Sequence, residues 1–324
     1  MSGTPTSRVE IDAPAKLNLG LEVIGRREDG FHEIATIFLA IDLCDRLALT
    51  PNPSPIAMGE GGNPAVLQGS GPMLSGERFA LRCDDPALAI SENLAIRALE
   101  ALDAESPLPG WVQIDLQKQI PAAAGLGGAS SDAAATLIAA RELFRLPVSD
   151  EVLHAIAARL GSDVPFFLRG GCALGRGRGE ILNPLPVPND LWFVLVVPRI
   201  MIPHKTASLY ARLNASDFSD GGRVVAQAEH IAASLPLDPD LLGNAFARPL
   251  YAVVPDLAGL QEQMRAAGAG VVGISGAGPT HFALFTDSER AEDVADRLRQ
   301  ALGNEARVIP AKPAAERPVA SSSL

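Results

Sequence analysis

Residues 121–132 read PAAAGLGGASSD, and this stretch decides the fold of the chain. It follows a run that alternates like a half-buried strand, 111–116 (WVQIDL), and it leads into an alanine-rich segment with helical character. Glycine lets the backbone turn tightly and approach a ligand, and a helix N-terminus carries free N–H groups and the positive end of the helix dipole. The order of strand, glycine loop and helix start therefore predicts an anion site that fits a di- or triphosphate.

The candidate ligand contacts come from this loop. They are Pro121, Ala122, Ala123, Ala124, Gly125, Leu126, Gly127, Gly128, Ala129, Ser130 and Ser131. Ser130 and Ser131 are good candidates for the N-cap of the following helix. Hydrogen-bond donation to phosphate and binding of magnesium are their alternative roles, and the sequence does not distinguish the three. A glycine turn with a serine cap and no ligand is the alternative interpretation. The alternative is disfavoured because three glycines, two serines and a helix start coincide in one short stretch.

Two familiar nucleotide motifs do not fit this loop. The P-loop pattern GxxxxGK[ST] is absent, because no lysine follows the glycines. A dinucleotide-binding fingerprint would run from the strand directly into the glycines and would place an acidic residue about 20 positions later. Here Pro121 and three alanines intervene, and no acidic residue ends a second strand at that distance.

Composition narrows the class of protein. The 324 residues predict about two domains, and 47% apolar with 20% charged residues excludes disorder as the main state. A formal net charge of −11 argues against a nucleic-acid partner, so a phosphate site must use a few local cations and N–H groups. The longest apolar run, 191–197, is too short for a membrane span, and no apolar signal segment is visible at the N-terminus. Three widely spaced cysteines form no metal or disulfide pattern, so we expect a cytoplasmic protein.

Hydrophobic patterning predicts an α+β chain. Strands are expected at 46–50, 111–116, 191–197 and 282–285, with another that ends at Ile274. Helices are expected at 93–102, 132–144, 151–160, 257–267 and 288–302. A connector rich in Pro and Asn at 183–190 predicts a boundary between an N-terminal domain, 1–186, and a C-terminal domain, 187–310. We also expect a Pro/Gly-rich excursion at 51–76 and a disordered tail at 311–324.

Two further segments identify a family. Residues 13–20 read APAKLNLG and residues 273–280 read GISGAGPT. With the glycine loop between them, they resemble the three signatures of the GHMP kinase superfamily of ATP-dependent small-molecule kinases. The resemblance spans about residues 9–310. It implies the GHMP kinase fold, in which an ATP-binding N-terminal domain of ribosomal-S5-like topology and a ferredoxin-like C-terminal domain flank the active site.

Finer motifs resemble one branch of that superfamily. Residues 25–34 read GRREDGFHEI, residues 161–167 read GSDVPFF, and the glycine loop is longer than the GLGSSAA of mevalonate and galactose kinases. The branch phosphorylates CDP-methylerythritol in the non-mevalonate isoprenoid pathway. The resemblance implies this small molecule as the acceptor and ATP as the co-substrate. The chemistry adds Mg²⁺, because ATP-dependent transfer needs a cation on the phosphates.

By this resemblance, Asp163 and Lys16 are the catalytic pair. Asp163 would accept the proton of the acceptor hydroxyl, and its alternative role is to cap the short helix that follows. Lys16 would keep Asp163 ionised and offset charge on the transferred phosphate, and its alternative is a strand-edge lysine whose stem covers apolar surface. Asn18 shares a face with Lys16 in an extended chain, and we expect it to bind acceptor hydroxyls.

The resemblance also implies a cytidine site and a second cation. Phe31 and Tyr210 would stack on the cytosine ring while His32 reads its polar edge, with core packing as the alternative for Tyr210. Lys118 would lie near the nucleotide, with a solvated strand-end lysine as the alternative. Magnesium, the one metal expected, would lie near Ser130 and Ser131.

Three other functions stay open at the level of sequence. A homoserine or phosphomevalonate kinase would keep the fold and change the acceptor, although neither acceptor has a pyrimidine for the aromatic residues. A non-catalytic member would bind without turnover, which the presence of both Lys16 and Asp163 disfavours. The hypothesis of a nicotinamide-dependent oxidoreductase is supported by the glycine content alone. The sequence does not indicate which oligomeric state the protein adopts.

Overall fold

The computed structural model describes residues 8–52, 73–75, 78–314 and 320–323, and its strands form two sheets. In chain order the strands are β1 (Arg8–Arg26), β2 (His32–Asn52), β3 (Met73–Ser75), β4 (Phe79–Cys83), β5 (Trp111–Gln117), β6 (Cys172–Arg176), β7 (Ile181–Leu185), β8 (Trp192–Pro198), β9 (Val271–Ile274), β10 (His281–Phe285), β11 (Ala306–Ala311) and β12 (Ser321–Ser323). The larger sheet has the order β12-β1-β2-β5-β4-β3, and β2 also pairs with β6, which pairs with β7. The smaller sheet has the order β11-β8-β10-β9.

Helices cover the outer faces of both sheets. In chain order they are α1 (Leu94–Glu105), α2 (Gly128–Phe144), α3 (Asp150–Leu160), α4 (Val164–Arg169), α5 (Lys205–Tyr210), α6 (Gly222–Ala232), α7 (Ala247–Val253), α8 (Ala258–Ala266) and α9 (Ser288–Leu302). Helices α1–α4 share one apolar core with the larger sheet. Helices α7–α9 share another with the smaller sheet. No helix among the described residues combines the length and apolar content needed to cross a bilayer.

A third apolar core joins the two sheets. Leu17 and Leu39 of the larger sheet meet Phe193 and Phe282 of the smaller one there. Along β8, Phe193 and Leu195 face this core, whereas Val194 and Val196 face the helices on the other side. This alternation follows from the two-residue period of a strand. The described chain therefore has one apolar core between its two sheets, into which α6 also packs, and one further helix-covered core on each sheet.

Strands β1 and β2 form a long antiparallel hairpin through the centre of this arrangement. Every residue from 13 to 23 of β1 is buried. Register shifts occur after Pro14 and after Asn18, where the pairing with β2 becomes irregular. Such irregularities re-aim side chains, and Lys16 and Asn18 lie between the two shifts. The hairpin therefore places the polar side chains of Lys16 and Asn18 in the protein interior.

The predicted α+β class is confirmed, and the strongly patterned elements lie where the sequence placed them. The helix predicted at 288–302 is α9, and the strand predicted at 111–116 is β5. The helix expected from residue 132 begins earlier, at Gly128, because Gly127 is its N-cap. The sequence did not predict β1. A strand covered on both faces lacks the polar alternation by which strands are recognised.

The C-terminal residues differ from the expected disordered tail at 311–324. Ala311 ends β11, and the Lys312 carbonyl accepts the Asp42 N–H at 3.0 Å. Ser321–Ser323 pair with the start of β1, where an edge strand offers unpaired backbone groups. Within the excursion predicted at 51–76, β2 continues to Asn52 and Met73–Ser75 form β3. Residues 53–72, 76–77, 315–319 and 324 lie outside the described residues.

Candidate active site

Two adjoining cavities meet at the predicted glycine loop. The glycine-loop cavity has a volume of about 720 Å³ and is lined by most residues from Lys118 to Ser130. The aromatic cavity has a volume of about 1100 Å³, and its lining includes Lys16, Asp163 and Tyr210. Residues that line both cavities are Gly125, Gly127, Lys205, Thr206 and Ala207. The site thus has two compartments with a common junction.

The glycine loop is held against a second loop, residues 275–280, which joins β9 to β10. Gly125 has φ +86°, and a Cβ there would lie 2.7 Å from the carbonyl oxygen of Gly278. The Ser275 hydroxyl donates to the Gly125 carbonyl at 3.0 Å. Glycine is required at 125 both for its left-handed conformation and for this close approach. The larger and smaller sheets therefore contribute one loop each to the junction.

The start of α2 has no side-chain cap. Gly127 is the N-cap, with φ +77°, so the prediction that Ser130 or Ser131 caps the helix is wrong. Both serines lie in the first turn instead, and the side chains of Ser131 and Leu126 are buried away from the cavity lining. Ser131 Oγ and Asp132 Oδ1 are buried without a hydrogen-bond partner. Because no side chain caps this helix, the free N–H groups of its first turn remain available to a ligand.

Lys16 and Asp163 lie side by side in the lining of the aromatic cavity, next to the glycine loop. Lys16 Nζ lies 3.7 Å from Asp163 Oδ2, and it donates to Asn18 Oδ1 at 2.6 Å and to the Gly125 carbonyl at 3.0 Å. Burial lowers the pKa of Lys16, and the Asp163 carboxylate partly offsets this effect. Asp163 occupies the N-cap position of α4 but makes no side-chain capping bond. The alternative role of Asp163 as a helix cap is therefore not observed.

Asn18 supports Lys16 from the same strand. Its amide donates to Thr36 Oγ1 at 2.8 Å, and the Thr36 hydroxyl donates to the Gly20 carbonyl at 2.7 Å. Lys16 and Asn18 are each only 3% exposed, yet both line the aromatic cavity. As predicted from an extended chain, the two side chains share a face. The strand-edge alternative for Lys16 does not hold, because its ammonium is buried rather than solvated.

The aromatic residues predicted for a base site line one cavity but pair differently from the expectation. The His32 ring stacks on Tyr210, with ring centroids 4.7 Å apart, and Tyr210 packs edge-on against Phe246. Phe31 is 50% exposed, and the Arg178 guanidinium lies 4.6 Å from its ring centroid. Burial, with a smaller contribution from Arg26, lowers the pKa of His32, so its imidazole is neutral at pH 7. A neutral imidazole offers one hydrogen-bond donor and one acceptor.

Lys118 is bound between two carboxylates. It forms ion pairs with Asp45 and with Asp132, the latter at 2.6 Å, and its side chain is 9% exposed. Burial alone would lower the pKa of Lys118, but Asp132 and Asp45 outweigh it and raise the pKa. Asp45 also accepts the backbone N–H of Ile120 at 2.8 Å, which fixes the approach to the glycine loop. The solvated-lysine alternative is therefore wrong, and the charge of Lys118 is neutralised within the protein.

Sequence reasoning missed three residues that line the aromatic cavity. Arg178 stands in the run GRGRGE at 175–180, where flanking glycines were an available signal. Phe218 packs edge-on against His32 with centroids 6.2 Å apart. Lys205 donates to the Ala123 carbonyl at 2.6 Å and to the Gly278 carbonyl. These last two come from the loop and short helix after β8, whose sequence lacks a distinctive motif.

The described residues contain no preformed metal cluster. No group of three or more His, Cys, Asp or Glu side chains is placed to hold a metal ion within them. Cys44, Cys83 and Cys172 are free, in agreement with the absence of a disulfide pattern in the sequence. Any divalent cation would therefore depend on a bound ligand for most of its coordination.

Comparison with known proteins supports the predicted family. Residues 93–171 match the family model for the GHMP kinases N terminal domain, and residues 231–304 match that for the GHMP kinases C terminal domain. A 4-diphosphocytidyl-2-C-methyl-D-erythritol kinase of Moorella thermoacetica is 38% identical over 294 residues, covering 90% of this chain and 94% of that protein. A namesake from Dehalococcoides mccartyi is 36% identical over 289 residues, covering 89% of this chain and 93% of that protein.

Solved structures agree on the fold. A crystal structure of 4-(cytidine 5'-diphospho)-2C-methyl-D-erythritol kinase superposes with a TM-score of 0.72 at 35% identity, covering 94% of this chain and all of that one. A homoserine kinase from Cytophaga hutchinsonii gives the same TM-score, 0.72, at 19% identity, covering 99% of each chain. The second likeness shows the fold alone. Backbone shape therefore does not separate the two acceptor classes, whereas sequence identity does.

Proposed function

Because the chain belongs to the 4-diphosphocytidyl-2-C-methyl-D-erythritol kinase family of GHMP kinases, we propose that it transfers a phosphoryl group from ATP to that alcohol. The acceptor is the 2-hydroxyl by family resemblance, and the products are the 2-phosphate and ADP. The reaction is a step of the non-mevalonate isoprenoid pathway, and we place it in the cytoplasm. The observation that carries the proposal is the junction of the glycine loop, a Lys–Asp pair and an aromatic cavity.

Asp163 is the base in this proposal. Its carboxylate takes the proton of the acceptor hydroxyl while that oxygen attacks the γ-phosphorus of ATP and ADP leaves. Its side chain is 33% exposed and makes no capping bond, so one face is free for a hydroxyl. Phosphoryl transfer is mainly positioning and charge stabilisation, so the main requirement on the base is its position beside the hydroxyl.

Lys16 supplies the adjacent positive charge. Its ammonium is fixed by Asn18 and the Gly125 carbonyl, and it lies at the junction where the γ-phosphate must meet the hydroxyl. A buried cation held in place before reaction stabilises developing negative charge more strongly than a solvated one. Lys16 therefore offsets the negative charge that develops on the transferred group.

The glycine loop and the start of α2 bind the nucleotide phosphates in this proposal. Gly125 and Gly127 bring backbone to the cavity, and the helix dipole favours an anion there. The first turn also offers oxygen ligands for Mg²⁺, because Ser130 and Asp132 line the glycine-loop cavity and Asp132 Oδ1 has no hydrogen-bond partner. These two residues would hold the ion, whereas Ser131 Oγ, although also without a partner, is buried away from the cavity lining. When bound, Mg²⁺ neutralises charge on the phosphate oxygens.

The aromatic cavity receives the cytidine in this proposal. Phe31 has an exposed ring on which a base can stack, with Arg178 already on it. A base that stacked on Tyr210 as well would take the place of the His32 ring, so we expect His32 to move toward the polar edge of cytosine. A neutral imidazole there supplies one donor and one acceptor to that edge.

A coupled assay of ADP release tests the proposal. The acceptor panel is CDP-methylerythritol, homoserine, mevalonate and galactose, each with ATP and Mg²⁺. We expect turnover with CDP-methylerythritol at a kcat/KM at least about 10³-fold above the others, since a site built for a polar base discriminates strongly against ligands that lack it. Turnover of homoserine at a comparable kcat/KM would overturn the assignment of the acceptor. No ADP release with any acceptor would overturn kinase activity itself.

A further inference from the structure

Lys205 lies at the junction of the two cavities and takes no part in the mechanism above. It is the first residue of α5, and with Thr206 and Ala207 it lines both the glycine-loop cavity and the aromatic cavity. The preceding residue, His204, has φ +45°, a left-handed conformation that turns the chain into the junction. The backbone therefore carries this lysine to the place where the two ligands must meet.

The contacts of Lys205 leave part of its ammonium unused. Nζ donates to the Ala123 carbonyl of the glycine loop at 2.6 Å and to the Gly278 carbonyl of the second loop. An ammonium has three donors, so one N–H is not accounted for by these two bonds. Both acceptors are neutral carbonyls, one in the glycine loop and one in the second loop. The ammonium is thus held in place by two anchors while one donor remains for a ligand.

The charge of Lys205 is not balanced within the described chain. Lys16 has Asp163 and Lys118 has Asp45 and Asp132, whereas no described carboxylate lies within ion-pair distance of Lys205. Burial and the nearby charge of Lys16 lower the pKa of Lys205 to about 8. Lys205 is only partly exposed, so an anionic ligand at the junction would stabilise a cation that has no counter-charge in the described chain.

We propose that Lys205 is a phosphate-binding residue, whose free N–H donates to a phosphate oxygen at the junction of the two cavities. The proposal rests on the proposed function, since both substrates of that reaction carry phosphates. One source is the β,γ-phosphate region of ATP in the glycine-loop cavity. The other is the diphosphate of the acceptor in the aromatic cavity. A charge-assisted hydrogen bond from a partly buried ammonium stabilises either one more than a neutral donor would.

Calorimetric titration of the full chain distinguishes the two sources. The ligand pairs are ATP against adenosine, and CDP against cytidine, so that each pair differs only in its phosphates. The variants are Lys205→Met and Lys205→Gln, and glutamine keeps an N–H donor for the two carbonyls if methionine does not fold. Lys312→Met is the matched control, because Lys312 is an exposed lysine packed on Trp192 away from both cavities.

We expect both Lys205 variants to bind the phosphorylated member of one pair about ten- to a hundredfold more weakly, with the nucleosides unchanged. A loss with ATP identifies the nucleotide as the source, and a loss with CDP identifies the acceptor. Unchanged affinity for both ATP and CDP would overturn the proposal. Equal weakening of nucleotides and nucleosides would also overturn it, because Lys205 would then only hold the loops together. If wild type fails to bind CDP, the proposed acceptor is wrong, while the ATP pair still decides the role of Lys205.

Discussion

At the residue scale, the proposed chemistry rests on one carboxylate and one ammonium 3.7 Å apart. Asp163→Asn keeps the shape of the side chain and removes the proton acceptor. We expect kcat to fall by about 10² or more, the usual scale for loss of a general base, with ATP affinity nearly unchanged. The coupled ADP-release assay and an ATP titration measure the two quantities. Asp12→Asn, an exposed aspartate on β1, is the control, and activity of Asp163→Asn within a few-fold of wild type would contradict the role of Asp163.

The ion triad of Lys118, Asp45 and Asp132 predicts a different phenotype for a second lysine. Lys118→Met leaves two buried carboxylates without their cation, so we expect the free energy of unfolding to fall by about 3–5 kcal/mol. Urea denaturation followed by circular dichroism measures this loss. Lys312→Met, at an exposed lysine, should change stability by less than about 0.5 kcal/mol. A stable Lys118→Met protein with weakened ATP binding would show that Lys118 acts on the nucleotide rather than on the fold.

Motif residues could be predicted from sequence, and residues placed by tertiary contact could not. Lys16 and Asp163 stand in segments with recognisable patterns, and the structure brings them together. Lys205 stands in a segment without such a pattern, and its position follows from contacts with loops about 73 and 82 residues away in the chain. The stacking of His32 on Tyr210 also depends on the approach of α5 to the β1–β2 hairpin.

At the element scale, contacts within the protein restrict which side chains the glycine loop can carry, in addition to any restriction by a bound ligand. Gly127 has φ +77°, and a Cβ there would lie 2.7 Å from the Phe167 ring and 3.1 Å from Lys16 Cγ. Gly127→Val therefore strains the backbone and displaces the buried Phe167 ring and Lys16. We expect weaker ATP binding, lower kcat and a loss of about 1–3 kcal/mol in stability. Calorimetry, the coupled assay and urea denaturation measure these effects.

A glycine in a permissive position is the control for that substitution. Gly259 lies in α8, where a Cβ would meet nothing within 4 Å and φ is not positive. Gly259→Ala should leave ATP affinity unchanged and should not reduce stability, since alanine is the better helix former. Normal ATP affinity in Gly127→Val would show that the loop is only a turn.

The sequence predicted the amphipathic helices and the short apolar strands β8 and β10, but it missed the long buried strand β1. Helix α9 carries an apolar face and a charged face, so its bounds follow from the 3.6-residue period. Strand β1 is buried on both faces from residue 13 to 23, so neither period marks it, although it carries Lys16 and Asn18. The helix start at Gly128 was also missed, because a left-handed glycine replaced the expected serine cap.

At the scale of the whole molecule, the aromatic cavity is built from distant parts of the chain. Phe31 and His32 come from the turn and start of β2 in the larger sheet, while Tyr210 belongs to the helix that follows β8 of the smaller one. A ligand held on these residues is positioned relative to both sheets and to the Lys16–Asp163 pair at the junction. Binding energy from a remote part of a substrate can orient the reacting group, so removing that part lowers turnover as well as affinity.

The cytidine diphosphate of the acceptor is such a remote part, and its contribution can be measured. We expect CDP-methylerythritol to be a far better substrate than methylerythritol phosphate, with a lower KM and a higher kcat, since stacking contributes about 1–3 kcal/mol per base contact. The uridine analogue exchanges the donor and acceptor at the base edge, so it should react more slowly in wild type. His32→Ala should reduce the preference for cytidine over uridine and leave ATP affinity unchanged, because His32 lines the aromatic cavity and not the glycine-loop cavity. Equal rates with the two bases in wild type, or an intact preference in His32→Ala, would mean that the base lies elsewhere in the cleft.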